Sequence, residues 1–166
     1  MENKTISNPN NERMERESKL NKISENNNPY PSKTSRTHSI ASVLSDFANL
    51  ESKKENIILA GRIIGLRTHG NLSFANLKDA SGEIQLAFSK NELGEDYKSF
   101  VKLIDMADFL EVDGACFVTH KGENSVLVKK YKVLSKALLP LPEKWHGLKD
   151  EEERLRKRYL DLLTND

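Results

Sequence analysis

Two neighbouring runs near the middle of the chain read GNLSFANLKD, residues 70–79, and GEIQLAF, residues 82–88. Both alternate larger apolar side chains with small or polar ones. This is the pattern of a β-strand, because successive side chains point to opposite faces. The Asp, Ser and Gly residues of segment 79–82 favour a tight turn between them. The two runs therefore predict a pair of short antiparallel strands.

The alternation also predicts which side chains face the interior. On the second strand the core face would carry Ile84, Leu86 and Phe88. The opposite, solvent-facing side would carry Glu83, Gln85 and Ala87. On the first strand, Leu77 and its small neighbours suit a tight barrel interior, which would place Phe74 outside as a stacking surface for a nucleic-acid base. The pattern alone equally allows Phe74 to pack into the core.

The flanking sequence predicts the rest of a small barrel. Residues 57–67 form a predicted strand in which Gly61 and Gly65 mark bends or bulges. Residues 108–119 and 125–134 predict two further strands, joined by a Gly-containing loop. The apolar spacing of residues 93–104 predicts a helix before them. Five strands with a helix between the third and fourth, mainly β with flanking helices, is the layout of the Greek-key OB-fold, which binds oligonucleotides or oligosaccharides.

The sequence before the barrel divides into two parts. Residues 1–28 are rich in Asn, Glu, Lys and Ser, and predict a partly disordered or marginally helical extension with a weak helix over 12–24. Residues 29–55 predict an extended Pro-containing segment and then a helix over 39–50, capped by Ser39, that packs on the barrel. The barrel domain itself is expected over residues 56–136.

Residues 137–166 are interpreted as a linker and the start of another helix. Pro140 and Pro142 stiffen the linker, and Asp150 would cap the helix. The helix carries a thin apolar stripe of three residues, Leu155, Tyr159 and Leu162. A stripe with no evident partner indicates that the chain is part of a longer protein.

Composition limits the classes of function. The chain has 26 basic and 25 acidic residues and a formal net charge of +1, so any nucleic-acid surface must be local. A single cysteine, Cys116, excludes an internal disulfide and a cysteine-based zinc site. The four histidines, His38, His69, His120 and His146, are scattered and do not indicate a metal site. No membrane-length apolar run or signal peptide is evident, so we expect a cytoplasmic protein without a membrane partner.

The sequence resembles a known family, most specifically in the segment after the barrel. The run LPLPEKWHGLKD, residues 139–150, continuing to RYLDL, residues 158–162, is similar to the linker of class II, subclass IIb, lysyl-tRNA synthetases. The Pro-Tyr-Pro segment at 29–31, the helix start at 37–40 and the barrel follow in the same order. The resemblance covers nearly everything from Asn28 onward. The related aspartyl and asparaginyl enzymes share the barrel but not this linker.

The resemblance implies that the barrel binds the anticodon of a lysine tRNA and reads its central uracil. The matching positions are Arg67, Phe74, Gln85 and Glu123. Arg67 can only donate hydrogen bonds and suits a carbonyl, Gln85 can donate and accept, and Glu123 suits the ring N–H. Phe74 supplies a stacking face, worth about 1–3 kcal/mol per base. Cytosine would leave Glu123 facing a lone pair, and unpaired polar groups of this kind discriminate strongly.

Each of these residues has a simpler interpretation when taken alone. Arg67 could be a solvated charge at a strand end, Gln85 a surface residue and Glu123 an ordinary hairpin residue. Three further candidates for RNA contact are His69, Asn71 and Lys129. Loop solvation explains the first two equally well. Lys129, together with Lys130, Lys132 and Lys136, could meet phosphates or form an exposed strand edge.

The resemblance also implies features of a full-length enzyme. Such enzymes join lysine to tRNA through a lysyl-adenylate, with ATP and magnesium, and we expect a homodimer. The catalytic domain would follow residue 166, so we assign no catalytic residue, cofactor or metal to this chain and expect it to be inactive alone. Two alternatives remain open: a free-standing OB-fold module that binds single-stranded RNA or DNA without catalysis, and an OB domain that binds only proteins.

Overall fold

The computed structural model describes residues 9–140 and 151–164, and within them five strands close into one barrel. The strands are β1 (Asn56–His69), β2 (Leu72–Lys78), β3 (Glu83–Ser89), β4 (Phe109–Val118) and β5 (Asn124–Ser135). The helices are α1 (Pro9–Asn26), α2 (Ile40–Ser45), α3 (Phe47–Lys53), α4 (Lys90–Leu93), α5 (Asp96–Leu103), α6 (Glu151–Arg156) and α7 (Arg158–Thr164). Since α4 and α5 lie between β3 and β4, the predicted OB-fold is confirmed.

The barrel closes in the order β1-β2-β3-β5-β4, with β4 paired back to β1. Neighbouring strands are antiparallel except for β3 and β5, which run parallel. The long β1 pairs with β4 through residues 56–62 and with β2 through residues 62–69. Its register shifts just before Gly65, as the sequence predicted for a bend. At Gly61 a Cβ atom would lie 2.6 Å from the Lys78 carbonyl oxygen, so only glycine permits this approach of β1 to β2.

Large apolar side chains fill the interior and join the barrel to α5. Phe88 of β3 stacks on Phe100 of α5 with ring centroids 3.8 Å apart, and Tyr131 of β5 meets both rings edge-on. The predicted core residues of β3, Ile84, Leu86 and Phe88, are all buried. This aromatic group fixes the helical insertion against β3 and β5.

The predicted solvent face of β3 is wrong for two of its three residues. Glu83 is exposed, but Gln85 is only 6% exposed and Ala87 only 1%. The reason is that β3 has a strand on each side. Ala87 lies between Phe74 of β2 and Leu127 of β5, and these larger neighbours cover it. A strand's alternation gives the direction of a side chain but not what its neighbours cover.

Two helices were predicted beside the barrel, and the structure has two short helices in each of these regions. The predicted helix over 39–50 is divided at Asp46 into α2 and α3, and Ser39 caps α2 by accepting a hydrogen bond from the Ser42 amide, as predicted. The helix predicted from Leu93 to about Leu103 is observed as α5, and a short additional helix, α4, precedes it, with Gly94 at a φ of +58° between the two.

The turn between β2 and β3 holds the N-terminus of α2. One carboxylate oxygen of Asp79 accepts a hydrogen bond from the Ile40 amide at 3.1 Å, and the Ser81 hydroxyl accepts one from the Ala41 amide at 3.0 Å. Asp79 also accepts from the amides of Ser81 and Gly82 within the turn. Burial raises the pKa of the Asp79 carboxyl. The hydrogen bonds that the carboxylate accepts from the Ser81 hydroxyl and from the three backbone amides outweigh this effect, so its pKa lies below the ordinary value. The turn thus supplies the amide partners that a helix start needs.

The N-terminal helix is longer and better packed than the sequence predicted. It spans Pro9–Asn26, whereas a weak helix over 12–24 was expected. Ile23 is buried in the hydrophobic core. The guanidinium of Arg16 donates to the carbonyl oxygens of Met106 and Ala137. These tertiary contacts stabilise a helix that has few apolar residues of its own to pack.

Lys136 is buried, so the prediction that it meets phosphates or forms an exposed strand edge is wrong for this residue. Its ammonium group is buried and lies 2.5 Å from Asp105 Oδ2 and 2.7 Å from Asp108 Oδ2. Lys19 of α1 reaches the other oxygen of Asp105 at 2.7 Å. Burial raises the pKa of Asp108 above its usual value despite these contacts. Burial also acts on Asp105, but hydrogen bonds and charges from Lys136 and Lys19 outweigh it and lower its pKa. The cluster joins α1, the α5–β4 connection and the end of β5.

The final helices carry the predicted apolar stripe. Its three residues are largely exposed in α6 and α7: Leu155, Tyr159 and Leu162. The two helices are joined by an ion pair of 2.7 Å between Arg154 and Asp161. The linker from 141 to 149 and the predicted cap at Asp150 lie outside the described residues.

Replacing Lys136 with methionine should strongly destabilise the chain. The change leaves the Asp108 carboxylate buried without its counter-charge, and breaking a buried ion pair in this way costs about 3–5 kcal/mol. Urea denaturation measures the free energy of unfolding. Lys132→Met, at an exposed lysine of β5 four positions before Lys136, is the matched control and should change stability little. Adding Asp108→Asn to Lys136→Met should recover part of the loss. Equal effects of Lys136→Met and Lys132→Met would contradict the buried pair.

We expect Asp79→Asn to remove a pH-dependent part of the stability. A carboxyl whose folded-state pKa is lowered stabilises the fold above its unfolded pKa, about 3.9, and loses this contribution as the pH falls through the folded value. The variant should therefore be less stable at pH 7, by about 1 kcal/mol. The difference should shrink below about pH 4. Thermal unfolding at several pH values measures it. Asp46→Asn is the control, because Asp46 makes no side-chain capping bond to its helix.

Candidate nucleic-acid interface

One face of the barrel brings together the predicted residues of three strands. Arg67 of β1 lies directly opposite Phe74 of β2, and Phe74 lies directly opposite Ala87 of β3. Cross-strand partners share a face, and so do residues two apart on one strand, which adds Gln85. We call this surface, formed by Arg67, Phe74, Gln85 and Ala87, the β1–β3 face.

Phe74 lies on the outside of the barrel. Its flanking residues Ser73 and Ala75 are fully buried and face the interior, whereas Phe74 is half-buried. This position decides between the two placements that the strand alternation allowed. Arg67 beside it is exposed. An aromatic ring is thus presented at the surface next to a guanidinium group, an arrangement that can stack a base and donate hydrogen bonds to it.

Glu123 reaches this face from the β4–β5 hairpin. The hairpin is closed by hydrogen bonds from the Gly122 amide to the Thr119 carbonyl oxygen, 2.8 Å, and from the Thr119 amide to the Glu123 carbonyl oxygen, 3.0 Å. Gly122 has a φ of +80°, a conformation that suits glycine. The loop therefore fixes the backbone of Glu123 just before β5 begins.

A chain of hydrogen bonds connects Glu123 to β3. The Gln85 amide nitrogen Nε2 donates to Glu123 Oε2 at 2.7 Å. On its other side, the Gln85 oxygen Oε1 accepts from the Ser125 hydroxyl at 2.9 Å. The parallel pairing of β3 with β5 places Gln85 opposite Ser125, which makes this chain possible. The face thus ends in an amide N–H group and a carboxylate held side by side.

The further candidates separate into two groups. His69 and Asn71 are exposed on either side of Gly70, in the β1–β2 hairpin that also carries Arg67 and Phe74. The hairpin is anchored by Tyr97, whose hydroxyl donates to the Gly70 carbonyl oxygen at 2.9 Å. Both residues are therefore at one end of the β1–β3 face.

Lys129 lies away from this face, and its role as an RNA contact stays a prediction. Its ammonium group lies 3.5 Å from Asn56 Oδ1, at the opposite end of β1 from Arg67. The physical reason is that β5 runs away from the hairpin and crosses to its pairing with β4. Lys129 lies four positions after Ser125, the β5 residue that pairs with Gln85.

Sequence reasoning missed Ser125. It is fully buried, and its hydroxyl is the donor to Gln85. A signal was present, because Ser125 follows Glu123 by two residues at the start of a strand and so shares its face. What the sequence did not reveal was that this strand lies beside β3.

In residues 9–140 and 151–164 no group of three or more His, Cys, Asp and Glu side chains could hold a metal ion. Of the helices described, none is both long and apolar enough to cross a membrane. Cys116 is buried, and burial raises the pKa of its thiol to about 11.

The sequence of this chain is similar to those of known proteins. Residues 57–134 match the family described as the OB-fold nucleic acid binding domain. The lysine–tRNA ligase of Carboxydothermus hydrogenoformans is 46% identical over 154 residues, which are 92% of this chain and 30% of that protein. The enzyme of Roseiflexus castenholzii is 47% identical over 139 residues, covering 82% and 28%. Lysine–tRNA ligase 2 of Methanosarcina mazei is 44% identical over 146 residues, covering 86% and 28%. The chain spans under a third of the length of these relatives.

Proposed function

The chain belongs to the lysine–tRNA ligase family, in which it contains the OB-fold nucleic acid binding domain, and we propose from this that its barrel binds the anticodon loop of a lysine-type tRNA. The observation that carries the proposal is the hydrogen bond between Gln85 and Glu123. It holds a donor and an acceptor side by side on the same face as the half-buried Phe74. This is the equipment with which proteins read unstacked bases of single-stranded RNA loops.

The base that this pair fits best is uracil. The pairing edge of uracil offers a carbonyl, a ring N–H and a second carbonyl. Glu123 can accept from the N–H, and the second hydrogen of the Gln85 amide nitrogen can be donated to the neighbouring 4-carbonyl, the group that cytosine replaces with an amino group. Arg67, on the other side of Phe74, can donate to the remaining carbonyl. Cytosine would set an amino group against the Gln85 N–H and a ring lone pair against Glu123.

Phe74 would hold the base in position by stacking. The ring is half-exposed and lies between Arg67 and the small side chain of Ala87. Base–aromatic stacking does not depend on which base is present, because every base has a flat π-face. Phe74 would therefore provide affinity, while Gln85 and Glu123 provide selectivity. His69 and Asn71 would contact the neighbouring nucleotides of the loop.

For the whole protein we propose ligation of lysine to tRNA, with ATP and magnesium as the relatives' reaction class requires, in a cytoplasmic homodimer. In this scheme residues 56–136 are the anticodon-binding domain. Residues 1–28 and 29–55 are an extension and a packing segment, and residues 137–166 lead towards the catalytic part. These assignments rest on membership of the family and not on a site in the described residues.

The test is a titration of the 166-residue chain with two RNA stem-loops at fixed salt. One carries a lysine-type anticodon, and the other differs only in having cytosine in place of the central uracil. The proposal requires tighter binding of the uracil loop. Equal binding of both would indicate a general single-strand OB-fold module. Binding of neither would remove the nucleic-acid function and favour a protein-binding domain.

Phe74→Ala should weaken binding of both loops to a similar extent. Loss of one stacked base costs about 1–3 kcal/mol of binding free energy, whichever base is stacked. The fold should be retained, because the ring is not part of the core. Phe109→Ala is the matched control: Phe109 is also half-buried but lies on β4 beneath Arg62. We expect its RNA affinity to be unchanged. Unfolding of Phe74→Ala, seen by circular dichroism, would show that the ring supports the barrel instead.

Glu123→Gln should reduce the preference for uracil. The substitution keeps the shape of the side chain but replaces a charged acceptor with an amide that can also donate, so cytosine is no longer excluded. We expect affinity for the uracil loop to fall roughly tenfold or more, as for a hydrogen bond to a charged group, with a smaller change for the cytosine loop. Glu83→Gln, an exposed glutamate of β3, is the control. An unchanged ratio between the two loops would contradict the role of Glu123.

A further inference from the structure

We propose that Ser125 is a positioning residue that fixes the orientation of the Gln85 amide and so determines which base the site accepts. The inference rests on the proposed function and deepens it. Ser125 does not reach the base. It acts by holding the Gln85 oxygen on the side away from Glu123, so that the site presents an N–H group next to a carboxylate.

The orientation of the Gln85 amide has two possible states, because the oxygen and nitrogen are almost identical in shape. Glu123 favours one of them. An ionised carboxylate only accepts hydrogen bonds, so the atom 2.7 Å from Glu123 Oε2 must be the Gln85 nitrogen. The reversed amide would place two acceptors in contact.

Ser125 provides the second constraint, on the other side of the amide. With the nitrogen facing Glu123, the Gln85 oxygen points into the β3–β5 junction and needs a donor there. Ser125 is 0% exposed and Gln85 only 6%, so the protein and not the bulk solvent must supply it. The Ser125 hydroxyl does so at 2.9 Å. Its other acceptor, the Glu123 carbonyl oxygen, is more distant at 3.2 Å.

The consequence concerns what is left for the base. The Gln85 oxygen is turned toward Ser125 in the buried β3–β5 junction, away from Glu123, and one hydrogen of the nitrogen is donated to Glu123. Only the second hydrogen of the nitrogen remains. Although glutamine can in general donate and accept, Gln85 is thereby restricted to donating. It can meet the 4-carbonyl of uracil but not the amino group that cytosine carries at the same position. Selectivity at this position therefore depends on a hydroxyl that makes no contact with the RNA.

The experiment compares the wild-type chain with Ser125→Ala and Ser125→Cys, using the uracil and cytosine stem-loops described above. The measured quantity is the ratio of the two dissociation constants. Ser125→Ala should reduce this ratio roughly three- to tenfold, as expected for loss of one neutral hydrogen bond. Ser125→Cys, which keeps a weak donor of similar shape, should give an intermediate ratio. Ser125→Cys also tests the proposal on its own if Ser125→Ala fails to fold.

Ser73→Ala is the matched control for loss of a buried hydroxyl. Ser73 is 0% exposed, and its hydroxyl contacts the Tyr97 hydroxyl at 2.9 Å in the interior and not Gln85. This variant should lower the melting temperature without changing the ratio. If the wild-type chain prefers uracil and Ser125→Ala keeps the full ratio, the role of Ser125 is overturned while the proposed function stands. The role of Ser125 is likewise overturned if Ser125→Ala weakens both loops equally. If the wild-type chain shows no preference, both proposals fail.

Discussion

The parallel pairing of β3 with β5 is the constraint on which the candidate site depends. Consecutive antiparallel strands would have placed β4 beside β3, and the hairpin carrying Glu123 would then lie elsewhere. Because the barrel closes with β5 at this position, Ser125 lies opposite Gln85, and Glu123, two residues earlier, extends over the same face. A crossing required to close the barrel thus also assembles the polar group that would read a base.

A second set of interactions fixes the surroundings of the barrel. The cluster of Lys136, Asp105 and Asp108 is buried, and such clusters rarely stabilise a fold more than well-packed apolar residues would. Its geometry is nevertheless restrictive, because each carboxylate has a defined partner on another element. Lys19 and Arg16 extend the cluster to α1. A helix with few apolar residues is held in one position by directional contacts.

Local sequence patterns predicted the elements of the fold well, because alternation, helical spacing and turn residues are local signals. The strands, the cap at Ser39 and the bend near Gly65 were all predicted correctly. The failures concern what lies beside an element. Nothing local distinguishes buried Lys136 from exposed Lys132, and nothing local shows that Gln85 is covered by β5. Of the candidate site, the residue types and their strands could be predicted, but the contact through Ser125 required the long-range strand pairing.

The near-zero net charge of the chain is consistent with a site of this kind. A protein that bound RNA mainly through phosphates would need many basic residues, and its affinity would carry little sequence information. Here the proposed contacts are one stacking ring, one guanidinium, and a pair formed by a buried amide and an exposed carboxylate. Such a pair discriminates because its groups cannot rotate to suit the wrong base: the carboxylate only accepts, and the amide is restrained on both sides. Discrimination between uracil and cytosine then follows from the fixed polarity of three hydrogen-bonding groups, Glu123, Gln85 and Ser125. Only the first two would touch the base.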